Sequence, residues 1–180
     1  MVTTGFTFRG VHSSEFGIIC DPQSRQLIPE RRRNLLVVPG RSGSVRQDDG
    51  TYEDRTEQFT CYYIPGPGEN VSLKAREIAA WLAEDGILSF DNEPEKMYDA
   101  FFTGSPTLAK HLKYGEFKLT FTYSPPFAYT AQQSLTQNIT SNNDTMQISV
   151  DGTAPTPCRI IIRNAGNTTI NTLHIDHIMI

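Results

Sequence analysis

The stretch VVPGRSGSVRQDDGTYED, residues 37–54, gathers glycine, serine and charge more densely than any other part of the chain. Three chemistries use such residues, and each asks for a particular spacing. A phosphate-binding loop needs G-x-x-x-x-G-K-[ST], so that a lysine meets the phosphates cradled by the backbone. Counting from Gly40, Val45 stands in the place of the second glycine and Arg46 in the place of the lysine. A nucleophile elbow needs G-x-S-x-G, and Gly40-Arg41-Ser42-Gly43-Ser44 brings its second glycine one position early. The carboxylates of Asp48, Asp49, Glu53 and Asp54 suggest a calcium loop, but an EF-hand ends on a glutamate at its twelfth place. Glu53 and Asp54 follow too soon, and the Asp-Gly pair reads as a hairpin turn. The four histidines, His12, His111, His174 and His177, form no better constellation. In HIDHI, His174 and Asp176 fall on one face of a strand and His177 on the other, short of the ligands that zinc requires. No spacing picks out a catalytic, cofactor or metal residue, so the expectation is a protein that is not an enzyme and uses no cofactor.

The elements around this stretch are mostly short strands. FTF at 6–8, FGIIC at 16–20 and NLLVV at 34–38 are apolar runs of strand length. EFKLTFTY alternates, with Phe117, Leu119, Phe121 and Tyr123 on one side and Lys118, Thr120 and Thr122 on the other, as in a half-buried antiparallel strand. YEDRTEQFTCYYI reads as a long strand, solvated at its start and buried at its end. One helix interrupts the strands, over about residues 72–84, with Val71, Ala75, Ile78, Ala79 and Leu82 at helical spacing. Asn70 or Ser72 suits its start and Gly86 its end. Trp81 reads as a core anchor.

Two prolines in YSPPFAYT end the last alternating strand and mark a boundary, because proline lacks a backbone donor. Residues 1–130 therefore read as one domain and 131–180 as a β-rich segment of a second. MQISV, CRIIIRN and TTINTLHI are its strand candidates, and the segment contains no tryptophan, phenylalanine or tyrosine.

Bulk properties narrow the function further. The 180 residues carry a formal net charge of −4, which argues against a nucleic-acid-binding role that needs a basic face. Arg31-Arg32-Arg33 is the single basic run and reads as a solvated surface. Cys20, Cys61 and Cys158 form no CxxC pair and read as free thiols, the first two buried. The first residues lack the basic and apolar regions of a signal peptide, and no apolar run approaches the ~18 residues of a membrane span. A chain made in the cytoplasm is the expectation.

The order of four motifs resembles the N-terminal domain of siphophage distal tail proteins. They are FTFRGVHSSEFGI, then PERRRNLLVVPGRSGSV with DDGTYEDR, then LAEDGILSFDNEPEKMYDAFFTG, and finally GEFKLTFTYSPPF, together spanning about residues 5–127. The resemblance implies a mainly β, antiparallel sandwich or barrel-like domain with one helix and an extended hairpin, followed by further strands. It implies a homohexameric ring at the distal end of the virion tail, joining the tail-tube protein to the tail-associated and baseplate proteins used in host adsorption. DNA would pass through the centre only as cargo. Residues 37–54 then become a strand, a flexible bend and a second strand, a hairpin that extends from the core to a neighbouring copy. In the same family the region after residue 130 often forms a galectin-like or carbohydrate-binding module, so a cell-surface saccharide is an expected partner of 131–180. A carbohydrate-binding module, or a subunit like those of the tail tube, are the alternatives.

Overall fold

Strands with an inward apolar side build one curled antiparallel sheet, a half-barrel, and a small second sheet is largely exposed. The computed structural model describes residues 5–21, 28–104, 116–141, 144–149, 152–154, 156 and 158–175. The chain divides into two units, Met1–Thr136 and Gln137–Ile180.

In the first unit the strands are β1 (Phe6–Phe8), β2 (Val11–His12), β3 (Ile18–Asp21), β4 (Arg31–Val37), β5 (Ser44–Tyr52), β6 (Arg55–Tyr63), β7 (Gly86–Phe90), β8 (Glu93–Phe102) and β9 (Glu116–Tyr123). Seven of them form the main sheet in the order β2-β1-β7-β8-β9-β6-β3, and β4 and β5 pair only with each other. The longest ladder joins β6 to β9, from Arg55 opposite Tyr123 to Tyr62 opposite Glu116. β9 behaves as its alternation predicts, with Phe117, Leu119, Phe121 and Tyr123 all buried.

The one α-helix among the described residues, α1 (Val71–Leu82), lies within a residue or two of its expected bounds. Asn70 caps it, its side-chain oxygen accepting from the Ser72 and Leu73 amides at 3.0 and 3.3 Å. Those two donors have no partner inside the helix, which is why Asn is favoured there. Gly86 does not close the helix. It opens β7 instead, and a Cβ at that position would meet Arg9 Cγ at 2.3 Å, so close packing sets the residue. The end of the helix is held from outside, where the Arg9 guanidinium donates to the Trp81 carbonyl and pairs with Glu84.

Ala75, Ile78, Trp81 and Leu82 turn into the core formed by the concave side of the sheet. Trp81 is the anchor that the sequence suggests. Its ring stacks on Phe6 and Phe16 with centroids 5.6 and 4.5 Å away, and Phe8 meets it edge-on at 6.0 Å. Its Nε1 donates to the Phe8 carbonyl at 3.0 Å, tying helix to sheet through a buried bond.

Two expectations are corrected here. Cys20 and Cys61 are not free thiols but a disulfide. They occupy directly opposed positions of β3 and β6, with Cα atoms 4.2 Å apart, and a separation of 41 residues hides that register from the sequence. Cys158 is free and exposed. In the second unit the described residues form no strand, although MQISV, CRIIIRN and TTINTLHI predicted strands. Strand propensity expresses fit to a pleated, half-buried surface, and Ile160, Ile161 and Ile162 remain 62%, 80% and 45% exposed. Local caps take over, with Asp144 accepting from the Thr140 amide at 2.7 Å and the Ser141 hydroxyl at 2.6 Å.

Replacing Trp81 by Phe keeps a stacked ring but removes the buried bond to the Phe8 carbonyl. Urea unfolding followed by circular dichroism is expected to show a loss of ~1 kcal/mol.

Candidate assembly surface on a two-stranded arm

The residues first considered for chemistry fold into an arm. β4 and β5 run antiparallel, with Leu35 opposite Arg46, Leu36 opposite Val45 and Val37 opposite Ser44. Residues 38–43 make the turn, and Gly40 and Gly43 both adopt a φ of +80°, where a side chain would be strained. Ser42 therefore sits in the bend between the two strands.

The Asp-Gly pair lies within β5 and not at the turn. Arg33 stands opposite Asp48, yet Arg31 stands opposite Tyr52, so β5 bulges at residues 49–51. Gly50, at φ +81°, supplies the bulge conformation. Asp48 accepts from the Gly50 amide at 2.9 Å, and Asp49 accepts from the Thr51 amide and hydroxyl at 2.9 and 2.7 Å. These acids serve local turns, as Asx geometry favours. The hydroxyl bond from Thr51 lowers the Asp49 pKa.

The arginine run is neutralised within the arm. Arg32 grips Glu53 with two bonds of 2.9 and 3.1 Å. Arg31 and Arg33 share Asp48 at 3.3 and 3.7 Å, and Arg31 also lies 5.8 Å from the centre of the Tyr52 ring. The Arg32 bond raises the arginine pKa and lowers that of Glu53. Beyond this paired shaft, residues 34–47 carry Arg41 and Arg46 and no acid. Neither arginine forms an ion pair among the described residues.

Apolar side chains occupy both faces of the distal half. Leu35 and Val37 share one face with Arg46, and Leu36 shares the other with Val45, by the two-residue period of a strand. Leu35, Leu36 and Val37 are 60%, 57% and 75% exposed. Among the described residues each arm strand has one neighbour, so both outer edges offer unpaired backbone groups.

The foot of the arm departs from the sequence reading. β6 was expected to begin in solvent, but Arg55 and Glu57 are buried, 3.1 Å apart. Arg55 lies against the rings of Tyr98 and Tyr123, 5.2 and 4.8 Å from their centres. The Tyr123 hydroxyl donates to Glu57 at 3.0 Å, and burial, then that carboxylate, push its pKa up. Nothing in the alternation announces this pair, because charge at an inward position looks like an exposed edge.

A second surface lies on the body. Asp85, Ile87, Asp99, Phe101 and Ser124 line an open groove of about 390 Å³. Asp99 accepts a 2.7 Å bond from the Tyr129 hydroxyl, and burial with that contact lifts the Tyr129 pKa to about 12. Tyr129 also bridges Met97 by backbone bonds of 2.8 and 2.9 Å, so the chain returns to the sheet after the prolines.

His12 has several partners. Its Nδ1 faces the Ser14 hydroxyl at 2.7 Å and accepts from the Ser14 amide at 3.2 Å, and its Nε2 lies 3.1 Å from Asp91. That geometry caps the 3₁₀ turn Ser13–Phe16 and ties it to Asp91. His111, Asp176 and His177 lie outside the described residues. Among the described residues no three His, Cys, Asp or Glu side chains converge as metal ligands, and no helix is long and apolar enough to cross a membrane.

Two predictions follow from the shaft and the foot. Glu53 has its folded pKa below the ordinary 4.5, so its contribution is present above that value and lost as pH falls through the depressed one. Wild type should protect arm amides from hydrogen exchange better than Glu53→Gln near pH 7, and the difference should vanish on acidification well below pH 4.5. At the foot, Arg55→Met alone should cost ~3–5 kcal/mol by leaving a buried carboxylate uncompensated. Adding Glu57→Gln should recover ~1 kcal/mol or more relative to additivity in a urea double-mutant cycle.

Comparison with known proteins agrees with this architecture. The family profile for the phage tail protein RIFT-related domain matches residues 11–123. The solved structure of the SPP1 Dit protein, described as a paradigm of the hub adsorption apparatus in phages infecting Gram-positive bacteria, is similar at a TM-score of 0.57 and 14% identity. The match covers 71% of this chain and 52% of that one, so the chain spans about half the length of the solved protein. No curated protein sequence matches significantly.

Proposed function

Because the chain belongs to the phage tail protein family with a RIFT-related domain, we propose that it is a hub at the distal end of a siphophage tail. In this reading six copies close into a ring that joins the tail tube to the tail-associated and baseplate proteins of the adsorption apparatus. DNA crosses the centre without being held. The observation that carries the proposal is the arm: a long ribbon with open backbone edges and apolar side chains on both faces, on a body matched over residues 11–123. Such a ribbon is costly on a lone molecule and well suited to β-augmentation or packing against another copy.

Electrostatics favour passage of DNA. Free arginines facing a channel would bind phosphates and retain the genome. Here Arg31, Arg32 and Arg33 are each engaged by Asp48 or Glu53, and each copy carries a net charge of −4. Residues 1–130 are the ring-forming part in this reading. Residues 131–180 belong to a second domain of carbohydrate-binding type, which would add a host saccharide to the partners.

Negative-stain imaging and native mass measurement of the purified chain test the hub. A six-fold annulus with an open centre is the expected result. Long stacked tubes would indicate a tube subunit instead, and a protein monomeric at the highest attainable concentration would overturn both readings.

A further inference from the structure

The distal arm and the body groove are opposite in charge and alike in apolar character. From residue 34 to 47 the arm presents Leu35, Val37 and Arg46 on one face, with Arg41 in the turn and no acid. The groove presents Asp85 and Asp99 around Ile87, which is 48% exposed, and Phe101. Asp85 forms no ion pair among the described residues, and Arg9, packed against Gly86, is already engaged by Glu84 and the Trp81 carbonyl. Within one chain the groove stands open while Leu35 and Val37 stay exposed, so the arm does not fill its own groove.

We propose that the distal arm of one copy docks in the Asp85–Asp99 groove of a second copy, Leu35 and Val37 meeting Ile87 and Phe101 while Arg41 and Arg46 face the two aspartates. This rests on the hub reading and adds to it the receiving surface. Arm and groove are different patches, so the contact is head-to-tail. A contact of that kind leaves an unused arm at one end and an unused groove at the other until the chain of copies closes on itself. Apolar contact supplies most of the attraction, and the charges set orientation and rate of encounter.

The test uses the full-length chain in sedimentation velocity at low salt. Arg41→Glu with Arg46→Glu, and separately Asp85→Lys, should each weaken assembly by at least ~10-fold, the scale of a few lost charge contacts. All three substitutions in one chain should restore it. Variants that assemble like wild type would overturn the docking while leaving the hub intact, whereas a wild type that never assembles would overturn both. A second measurement is independent of charge. In a Cys158→Ser background, Val37→Cys chains mixed with Ile87→Cys chains should oxidise to mixed dimers. Cross-links confined to Val37→Cys pairs would overturn the docking in favour of an arm-to-arm contact.

Discussion

An extended strand carries donors and acceptors along both sides, and each must find a partner wherever water is excluded. The body meets this demand almost entirely from within. Five of its seven strands lie between two neighbours, and the borders are held by strands of only two and four residues. The arm does the reverse. Its strands are seven and nine residues long and each has a single neighbour. Natural sheets blunt such edges with charge, and here the paired charges are confined to the shaft, where three arginines meet Asp48 and Glu53. The outer half keeps Leu35, Leu36 and Val37 in the open. Adhesion is therefore graded along the arm, low near the body and high toward the turn.

A sticky ribbon is useful only if its direction is fixed, because ordering it on contact would consume affinity. The foot supplies that. Arg55 lies against two tyrosine rings and is ion-paired with Glu57 directly after the arm ends, and Tyr52 packs edge-on against Phe127 at 5.0 Å. Buried charge pairs of this kind add little net stability, because desolvating the two charges offsets much of their attraction, yet removing one partner is costly.

Much of this was legible in the residues. Alternation in EFKLTFTY, the helical spacing before Trp81 and the glycines around residue 40 each state a local rule, and the folded chain obeys them. What stayed hidden depends on register. Cys20 opposite Cys61, and Arg33 opposite Asp48 but Arg31 opposite Tyr52, are facts about which distant residues face each other. The Asp-Gly pair misled for the same reason, since one dipeptide suits a turn and a bulge alike. Tyr98, brought beside Arg55 from β8, could not be foreseen from β6 alone.

The bulge at residues 49–51 has an arithmetic of its own. Between Arg31 and Arg33 one strand advances two places while its partner, from Asp48 to Tyr52, advances four. The surplus is even, so parity survives it: side chains above and below the bulge still point to the same two faces. β4 carries no extra residue, so its own alternation sets the faces of Leu35, Leu36 and Val37, and a different surplus would change only which residues of β5 stand across from them. A residue gained or lost at the bulge is thus absorbed in β5, and the apolar row that the limb presents keeps its side.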